Sequence, residues 1–253
     1  MKPLSERRVG LARVLSKRGI CSRNQAAQWS AAGRVRVDGR VVLDPEFGIR
    51  GESQRIVVDG LQAGQGERFY LLLNKPRGLV TTARDEQGRD TVYRCLDGSG
   101  LPWLAPVGRL DKASEGLLLF SNDTEWSARI TDPATGPRKT YHVQVDCIPD
   151  GELLKRLQAG VLMENEPLAA VSATLLRHGG KNAWLEIVLD EGRNRQIRRL
   201  LAAFDINVLR LIRTAIGDLA LGDMHKGQWR HLTAVEVARL AVCTNETALL
   251  RIG

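Results

Sequence analysis

Residues Val107-Gly108-Arg109-Leu110-Asp111-Lys112-Ala113-Ser114-Glu115-Gly116-Leu117-Leu118-Leu119 decide how this chain is read. A lone carboxylate, Asp111, stands at the tip of a polar turn. A glycine and an arginine precede it, and the apolar run Leu117 to Phe120 follows as a buried strand. In a turn facing water, an aspartate is cheaply solvated and bonds its own backbone amides. In a basic cleft the same carboxylate becomes a nucleophile or a base. The surrounding sequence chooses between the two.

On either side of this loop the pattern mixes strands and helices. Phe69 to Leu73 reads as a strand ending in the turn Asn74-Lys75-Pro76-Arg77-Gly78. One of Ser121, Asn122 and Asp123 caps a helix over Thr124 to Ile130, which Pro133 ends. Tyr141, Val143 and Val145 alternate as a half-buried strand. Leu153 to Leu157 belong to a short helix ending at Gly160. Trp184 to Leu189 form another strand, Gln196 to Phe204 show helical periodicity, and Val208 to Ile212 return as a strand. This order predicts an α+β domain over residues 67–243, with a mixed, mainly antiparallel sheet flanked by helices.

The N-terminal stretch reads differently. Leu11, Val14, Leu15 and Arg18 follow helical spacing, with Gly19 as a C-cap. Ser22 is an N-cap for a second helix, Arg23 to Ala32, closed by Gly33. Val35, Val37 and Val41 alternate about an Asp38-Gly39 hairpin turn, and Ile56 to Val58 close a small sheet. Residues 8–60 thus form a small α/β domain. The glycines and glutamines from Asp59 to Gly66 read as a linker to the larger one.

The chain has 253 residues, 43% hydrophobic and 26% charged, which suits a packed core in a small and a larger domain. Its net charge is +8, with 37 Lys/Arg against 29 Asp/Glu. Residues 1–60 hold 12 Lys/Arg and 6 acids, a net of +6, leaving +2 for the other 193 residues. A basic first quarter points to a polyanionic partner. The apolar runs are too short for a membrane span, and Met1 to Gly19 lack the apolar stretch of a secretory signal. Cys21, Cys95, Cys147 and Cys243 have no CxxC spacing, so reduced thiols in a cytoplasmic protein are expected. His142, His178, His225 and His231 show no metal-ligand spacing, and no metal is expected.

Two resemblances follow from these motifs. Arg13, Lys17, Gly19, Cys21, Ser22, Arg23, Gln25, Ala26, Gly33, Arg34, Val35, Val37 and Gly39 together resemble the S4 RNA-binding domain. That family often has Asn where this chain has Asp38, and both residues suit the turn. The resemblance implies RNA contacts from Arg13, Lys17, Arg18, Arg23 and Arg34, made mainly to shape and backbone.

The larger domain resembles the RsuA-type pseudouridine synthases of ribosomal RNA. Four motifs match in order: Asn74 to Gly78; Gly108 to Leu119 with Ser121-Asn122-Asp123; Lys139-Thr140-Tyr141; and Glu191-Gly192-Arg193-Asn194-Arg195-Gln196-Ile197-Arg198-Arg199, with Leu211 to Gly217 after it. The second and fourth are the specific ones.

The resemblance implies an isomerisation in which uracil leaves C1′ through N1 and rejoins it through C5. Asp111 becomes the essential carboxylate, which either attacks the sugar or removes its C2′ proton. Arg198 maps onto the arginine that pairs with that aspartate and holds it in one orientation. Arg193 and Arg195 are left to reach phosphates. Tyr141 maps onto the tyrosine that packs against the base, a stack of roughly 1–3 kcal/mol in single-strand binders. Lys139 shares its strand face. Arg109 either helps displace the uridine from its stack or contacts a phosphate.

The implied substrate is ribosomal RNA or a ribosomal-subunit assembly intermediate. Asp111 to Gly116 and Trp126 incline it toward the large subunit (23S). A redox-neutral isomerisation calls for no cofactor, and neither a P-loop nor GxGxxG is present. A monomer is the default. The alternative reading is a non-catalytic rRNA-binding or ribosome-assembly factor, which would have no use for Asp111, Tyr141 and Arg198 together. A glycosidic hydrolase fits less well, because such enzymes normally pair two acids.

Overall fold

A computed structural model describes residues 8–50, 54–64, 67–83 and 85–242. Cys243, the Gln65-Gly66 end of the expected linker and the first seven residues lie outside these. The described residues fall into two compact units. One comprises residues 8–70, 98–105 and 120–125; the other comprises 71–97, 106–119 and 126–242.

The first unit begins with β1 (Arg8–Gly10), α1 (Leu11–Lys17) and α2 (Arg23–Ala31). It continues with β2 (Val35–Val37), β3 (Arg40–Val41), β4 (Gly48–Arg50), β5 (Ile56–Val58) and β6 (Leu61–Gln62). Leu11 and Leu15 from α1, Ala26 from α2 and Val35, Val37, Ile49 and Ile56 from the strands form one buried core. The Ser22 side chain accepts from the Gln25 amide at the start of α2. Gly19 and Gly33 adopt positive φ after the two helices. Cys21 is buried here, and burial pushes its thiol up to about 11. That keeps it a protonated, unreactive core residue.

Two expectations change in this unit. The stretch from Asp59 is not a linker at its start, because Asp59 and Gly60 at φ +49° and +82° turn β5 into β6. The same left-handed pair occurs at Asp38-Gly39, between β2 and β3. In addition, β1 pairs antiparallel with β4. Arg8-Val9-Gly10 and Gly48-Ile49-Arg50 each carry one apolar side chain, too few to show an alternation.

The larger sheet runs through β7 (Tyr70–Lys75), β8 (Ala105–Val107), β9 (Glu115–Ser121), β10 (Lys139–Val145), β13 (Ser172–His178), β14 (Ala183–Leu189), β15 (Val208–Ile216), β16 (Leu219–Ala220) and β17 (Trp229–His231). Its order is β13-β14-β10-β15-β9-β7-β17, with β16 on β15 and β8 on β9. The pairing of β15 with β9 is parallel, and those of β10, β13 and β14 are antiparallel. A mixed, mainly antiparallel sheet is therefore present, with α3 (Thr124–Thr131), α4 (Gly151–Ala159), α5 (Gln196–Ala202) and α6 (Ala234–Val242) around it. A small hairpin, β11 (Val161–Met163) with β12 (Glu166–Leu168), adds to it.

Asn74 and Lys75 belong to β7 and are buried, not part of the turn expected there. Asp123 caps α3 by accepting from the Glu125 amide. Trp126 is buried and donates through Nε1 to the Val237 carbonyl at 3.1 Å. It is a packing residue, and no longer argues for one RNA over another. Among the described residues no helix is long and apolar enough to cross a membrane.

Candidate active site

The loop from Leu110 to Ser114 joins β8 to β9, and its backbone is held at every carbonyl. Thr81 Oγ1 donates to Leu110 O at 2.7 Å. Lys75 Nζ donates to Asp111 O at 3.2 Å and to Ser114 O at 2.8 Å. The Gly78 amide donates to Lys112 O at 2.8 Å, and the Ser114 amide closes the turn onto Asp111 O at 2.9 Å. Arg198 Nη2 reaches Ala113 O in a long contact of 3.5 Å. A backbone bonded in this way presents the Asp111 side chain in a fixed direction, which is what a positioned nucleophile or base requires.

Lys75 is the hub of this arrangement. It is fully buried, and its third bond goes to Pro76 O at 3.1 Å. Burial pushes its pKa down to about 8, against the pull of Glu115 and Asp111. The sequence hides this role, since a lysine beside a proline reads as a surface turn. The run Leu71-Leu72-Leu73, separated from it only by Asn74, was the available signal.

Next to the loop, Glu115 is buried and receives Arg210 through both carboxylate oxygens, at 2.8 and 3.0 Å, and Lys226 at 2.7 Å. Burial alone would raise its pKa; the bonds from Arg210 and Lys226 outweigh it and hold the carboxyl at about 2. Gly116 follows at φ +99°, where an added Cβ would lie 2.3 Å from Arg213 O. Only glycine permits β9 and β15 to approach so closely at the end of the loop.

The Asp111 carboxylate faces a cleft of about 600 Å³. Tyr141 and Lys139 of β10, Arg213 of β15, Ile197 of α5 and Arg109 also line it. Tyr141 and Lys139 sit on one face of β10 and are both buried, as the alternation implied. Arg109 is exposed at the rim and shares with Asp111 a second, more polar cleft lined by Thr81, Thr82 and Arg89.

The arginine nearest the carboxylate is not the expected one. Arg195 Nη1 lies 3.4 Å from Asp111 Oδ2, and among the described residues it is the side chain that hydrogen-bonds this carboxylate. Arg195 stands just before α5 in the left-handed region, at φ +49°. That turn points its side chain at the loop. Arg198, one helical turn on, lies beneath the loop, donating to Val208 O at 3.3 Å besides Ala113 O. Its Nε is buried without a partner. Burial, with Arg195 nearby, lowers the Arg198 pKa, and the charge of Asp111 opposes that. Spacing alone could not separate the two, because the αL residue shifts which arginine faces the site.

Among the other arginines assigned to phosphates, Arg193 is engaged by Glu191 at 2.7 Å and Glu166 at 3.3 Å and donates to Pro167 O. It braces the loop before α5. In the first unit, Arg13, Lys17 and Arg23 are exposed. Arg18 donates to Ala63 O at 2.7 Å, and Arg34 pairs with Asp59 at the end of the β2–β5 pairing. Among the described residues no group of acids, histidines and cysteines could hold a metal ion.

A cleft of base-plus-ribose size with a carboxylate side chain, an arginine and a tyrosine in its walls can hold a nucleoside and act on its sugar. The comparisons with known proteins agree. The pattern of the RNA pseudouridylate synthase family matches residues 69–203, and that of the S4 domain matches residues 9–60. The ribosomal large subunit pseudouridine synthase B of Bacillus subtilis (strain 168) is 36% identical over 233 residues, covering 91% of this chain and 94% of that protein. An uncharacterized RNA pseudouridine synthase of Mycobacterium tuberculosis is 38% identical over 240 residues, covering 92% and 93%. A crystal structure of a pseudouridylate synthase superposes with a TM-score of 0.63 at 29% identity, over 92% of this chain and 99% of that one. This chain belongs to the RNA pseudouridylate synthase family, in the RsuA-type group that carries an S4 domain.

Proposed function

We propose that this protein converts a specific uridine of large-subunit ribosomal RNA to pseudouridine, with Asp111 as the essential carboxylate. The observation that carries this is the Asp111–Arg195 contact of 3.4 Å in the wall of the cleft that also holds Tyr141. The name of the Bacillus subtilis relative supports the large subunit as target.

The chemistry asks little beyond these groups. The N1–C1′ bond breaks, the base turns within the cleft, and C5 bonds to C1′. The hydrogen on C5 leaves as a proton and N1 takes one up, so the isomerisation is balanced without an oxidant or reductant. Asp111 serves either by adding to C1′ or by removing the C2′ proton. Both roles need an ionised carboxylate aimed at the sugar. Arg195 neutralises and orients it, and Arg198 anchors the loop that carries it. Tyr141 packs on the base while it is detached. Arg109, at the rim, occupies the space that the uridine vacates or holds a neighbouring phosphate. Residues 8–60 hold the RNA and residues 67–243 act on it, in a monomer of the cytoplasm.

The test is tritium release from ribosomal RNA labelled at C5 of uridine, for wild type and Asp111→Asn together, on naked RNA and on immature subunits. Formation of the new C–C bond expels the label. Release by wild type alone is expected. Release from neither substrate by wild type would favour a non-catalytic assembly factor, and equal release by Asp111→Asn would remove the aspartate from the mechanism.

A further inference from the structure

The cleft holds a second pair of charged side chains that the contact between Asp111 and Arg195 leaves without a task. Lys139 of β10 and Arg213 of β15 are 8% and 5% exposed, and both line it. Arg213 Nε donates to Leu117 O at 2.7 Å, but its Nη2 is buried with no partner. Among the described residues nothing accepts a hydrogen bond from the Lys139 ammonium; Asp190 and Asp132 act on it through charge alone. Burial, with Arg213 beside it, pushes Lys139 down to about 8.

A lysine on a buried stem whose ammonium has no protein acceptor, beside an arginine whose Nη2 is buried unpaired, opposes folding. Packing does not require the Lys139 ammonium. The comparison with Lys75 is direct, since that fully buried lysine donates to three carbonyls and holds the loop together. Lys139 holds nothing together. Its three N–H groups are uncommitted on the strand face that also presents Tyr141 to the cleft.

The isomerisation creates a charge that fits this gap. When N1–C1′ breaks, the electron pair stays with the base, and the negative charge spreads onto its two carbonyl oxygens. It persists until C5 bonds to C1′. A preorganised cation in a wall of low polarity acts strongly on such a charge. We propose that Lys139, backed by Arg213, is a further catalytic residue, whose ammonium donates to a carbonyl oxygen of the uracil and bears its negative charge while the base is detached. Lys139 forms no covalent bond. The electron pair returns in the C5–C1′ bond, and the protons lost at C5 and gained at N1 exchange with water. This rests on the synthase reading of the preceding subsection.

The experiment uses the full-length enzyme with Lys139→Met and Lys139→Arg. Melting temperature, RNA affinity and single-turnover conversion are measured for each, on RNA carrying uridine or 5-fluorouridine at the target. Conversion is read by chromatography after nuclease digestion. Lys139→Met should melt at or above wild type, because it removes a charge that has no protein acceptor and only a buried stem beneath it. It should bind RNA within about two-fold of wild type and convert uridine ~100-fold more slowly, with Lys139→Arg recovering part of the loss. Fluorine stabilises the detached base by itself, so the loss on 5-fluorouridine should be smaller.

A lower melting temperature for Lys139→Met would make the residue structural and overturn the proposal. An equal loss on both bases would overturn it too, as would a loss of affinity with an unchanged conversion rate. Wild type that converts no ribosomal RNA would remove the synthase reading and this proposal together. Active wild type with equally active Lys139→Met would remove this proposal alone.

Discussion

The Lys75 ammonium lies 2.8 Å from the carbonyl oxygen of Ser114, so the turn that carries Asp111 is tied from beneath to β7. All three ammonium hydrogens are committed, to Pro76, Asp111 and Ser114. Lys75→Met keeps the stem and removes the donor from the Pro76 and Ser114 carbonyls, while Asp111 O keeps the Ser114 amide. Leaving buried polar groups unpaired is costly, and the expected loss is about 3 kcal/mol in urea unfolding at unchanged m, with slower turnover. A loss below about 1 kcal/mol would mean that the turn holds itself.

Arg195 combines an unfavourable backbone with a side chain aimed at Asp111. Replacing it by glycine and by alanine separates the two. Glycine accepts φ +49° and should be about 1 kcal/mol more stable than alanine. Both variants should lose turnover alike, because both lack the guanidinium. Thermal melts and tritium release read the two effects. If the alanine variant kept its activity, Arg198 would have to be the partner of Asp111 after all.

Glu115 gives the fold an acid limb. Its folded pKa, about 2, lies below the ordinary 4.5. The stabilisation is therefore complete above pH 4.5 and is lost as pH falls from 4.5 toward 2. Arg210 and Lys226 are partly exposed, which screens the pair. Glu115→Gln should cost about 2 kcal/mol at pH 7 and flatten the stability curve across that window. A variant with the wild-type acid slope would contradict the assignment.

Gly116→Ala places a methyl 2.3 Å from Arg213 O at φ +99°. The clash is with backbone of a paired strand, which has little room to yield. The expected loss is ~3 kcal/mol, seen as a lowered denaturation midpoint. Gly108→Ala is the control. Its added methyl meets Thr131 Cγ2 at an ordinary 3.5 Å, although φ +75° still strains it. It should be the milder of the two.

The basic residues of the first unit divide by what they already touch. Arg13, Lys17 and Arg23 are exposed, whereas Arg34 pairs with Asp59. Changing the first three to glutamine should weaken RNA binding and reduce the slope of log affinity against log salt by about 2–3. Arg34→Gln should leave that slope nearly unchanged. Filter binding at several salt concentrations measures both.

The strands and helices with clear periodicity were legible in the sequence, from α1 and α2 to β10 and β14. So were the capping Ser22 and the Asp38-Gly39 turn, because their chemistry is local. The Asp111 loop and the tyrosine beside it could be marked from motif order. The arginine facing Asp111 could not, since a single left-handed residue at position 195 moves it by a helical turn. Lys75 and Lys139 escaped for another reason. A buried lysine violates the pattern from which burial is inferred, and only its tertiary partners, or their lack, disclose its role. The edge strand β13 was invisible because a bulge between Leu175 and Arg177 breaks its alternation.

The bond between Arg213 and Leu117 joins residues 96 positions apart, and it lies beside the short parallel register of β9 and β15. Closing so long a stretch of chain carries an entropic toll before any contact repays it. The cleft beside the Asp111 loop, whose wall includes Arg213, thus closes only after β15 has been made and has docked. A chain still being synthesised, or one cut short before Val208, owns the whole Gly108 to Leu119 sequence and yet lacks the Leu211, Arg213 and Ile216 wall of the cleft. Chemical competence arrives with the completed fold and not by degrees.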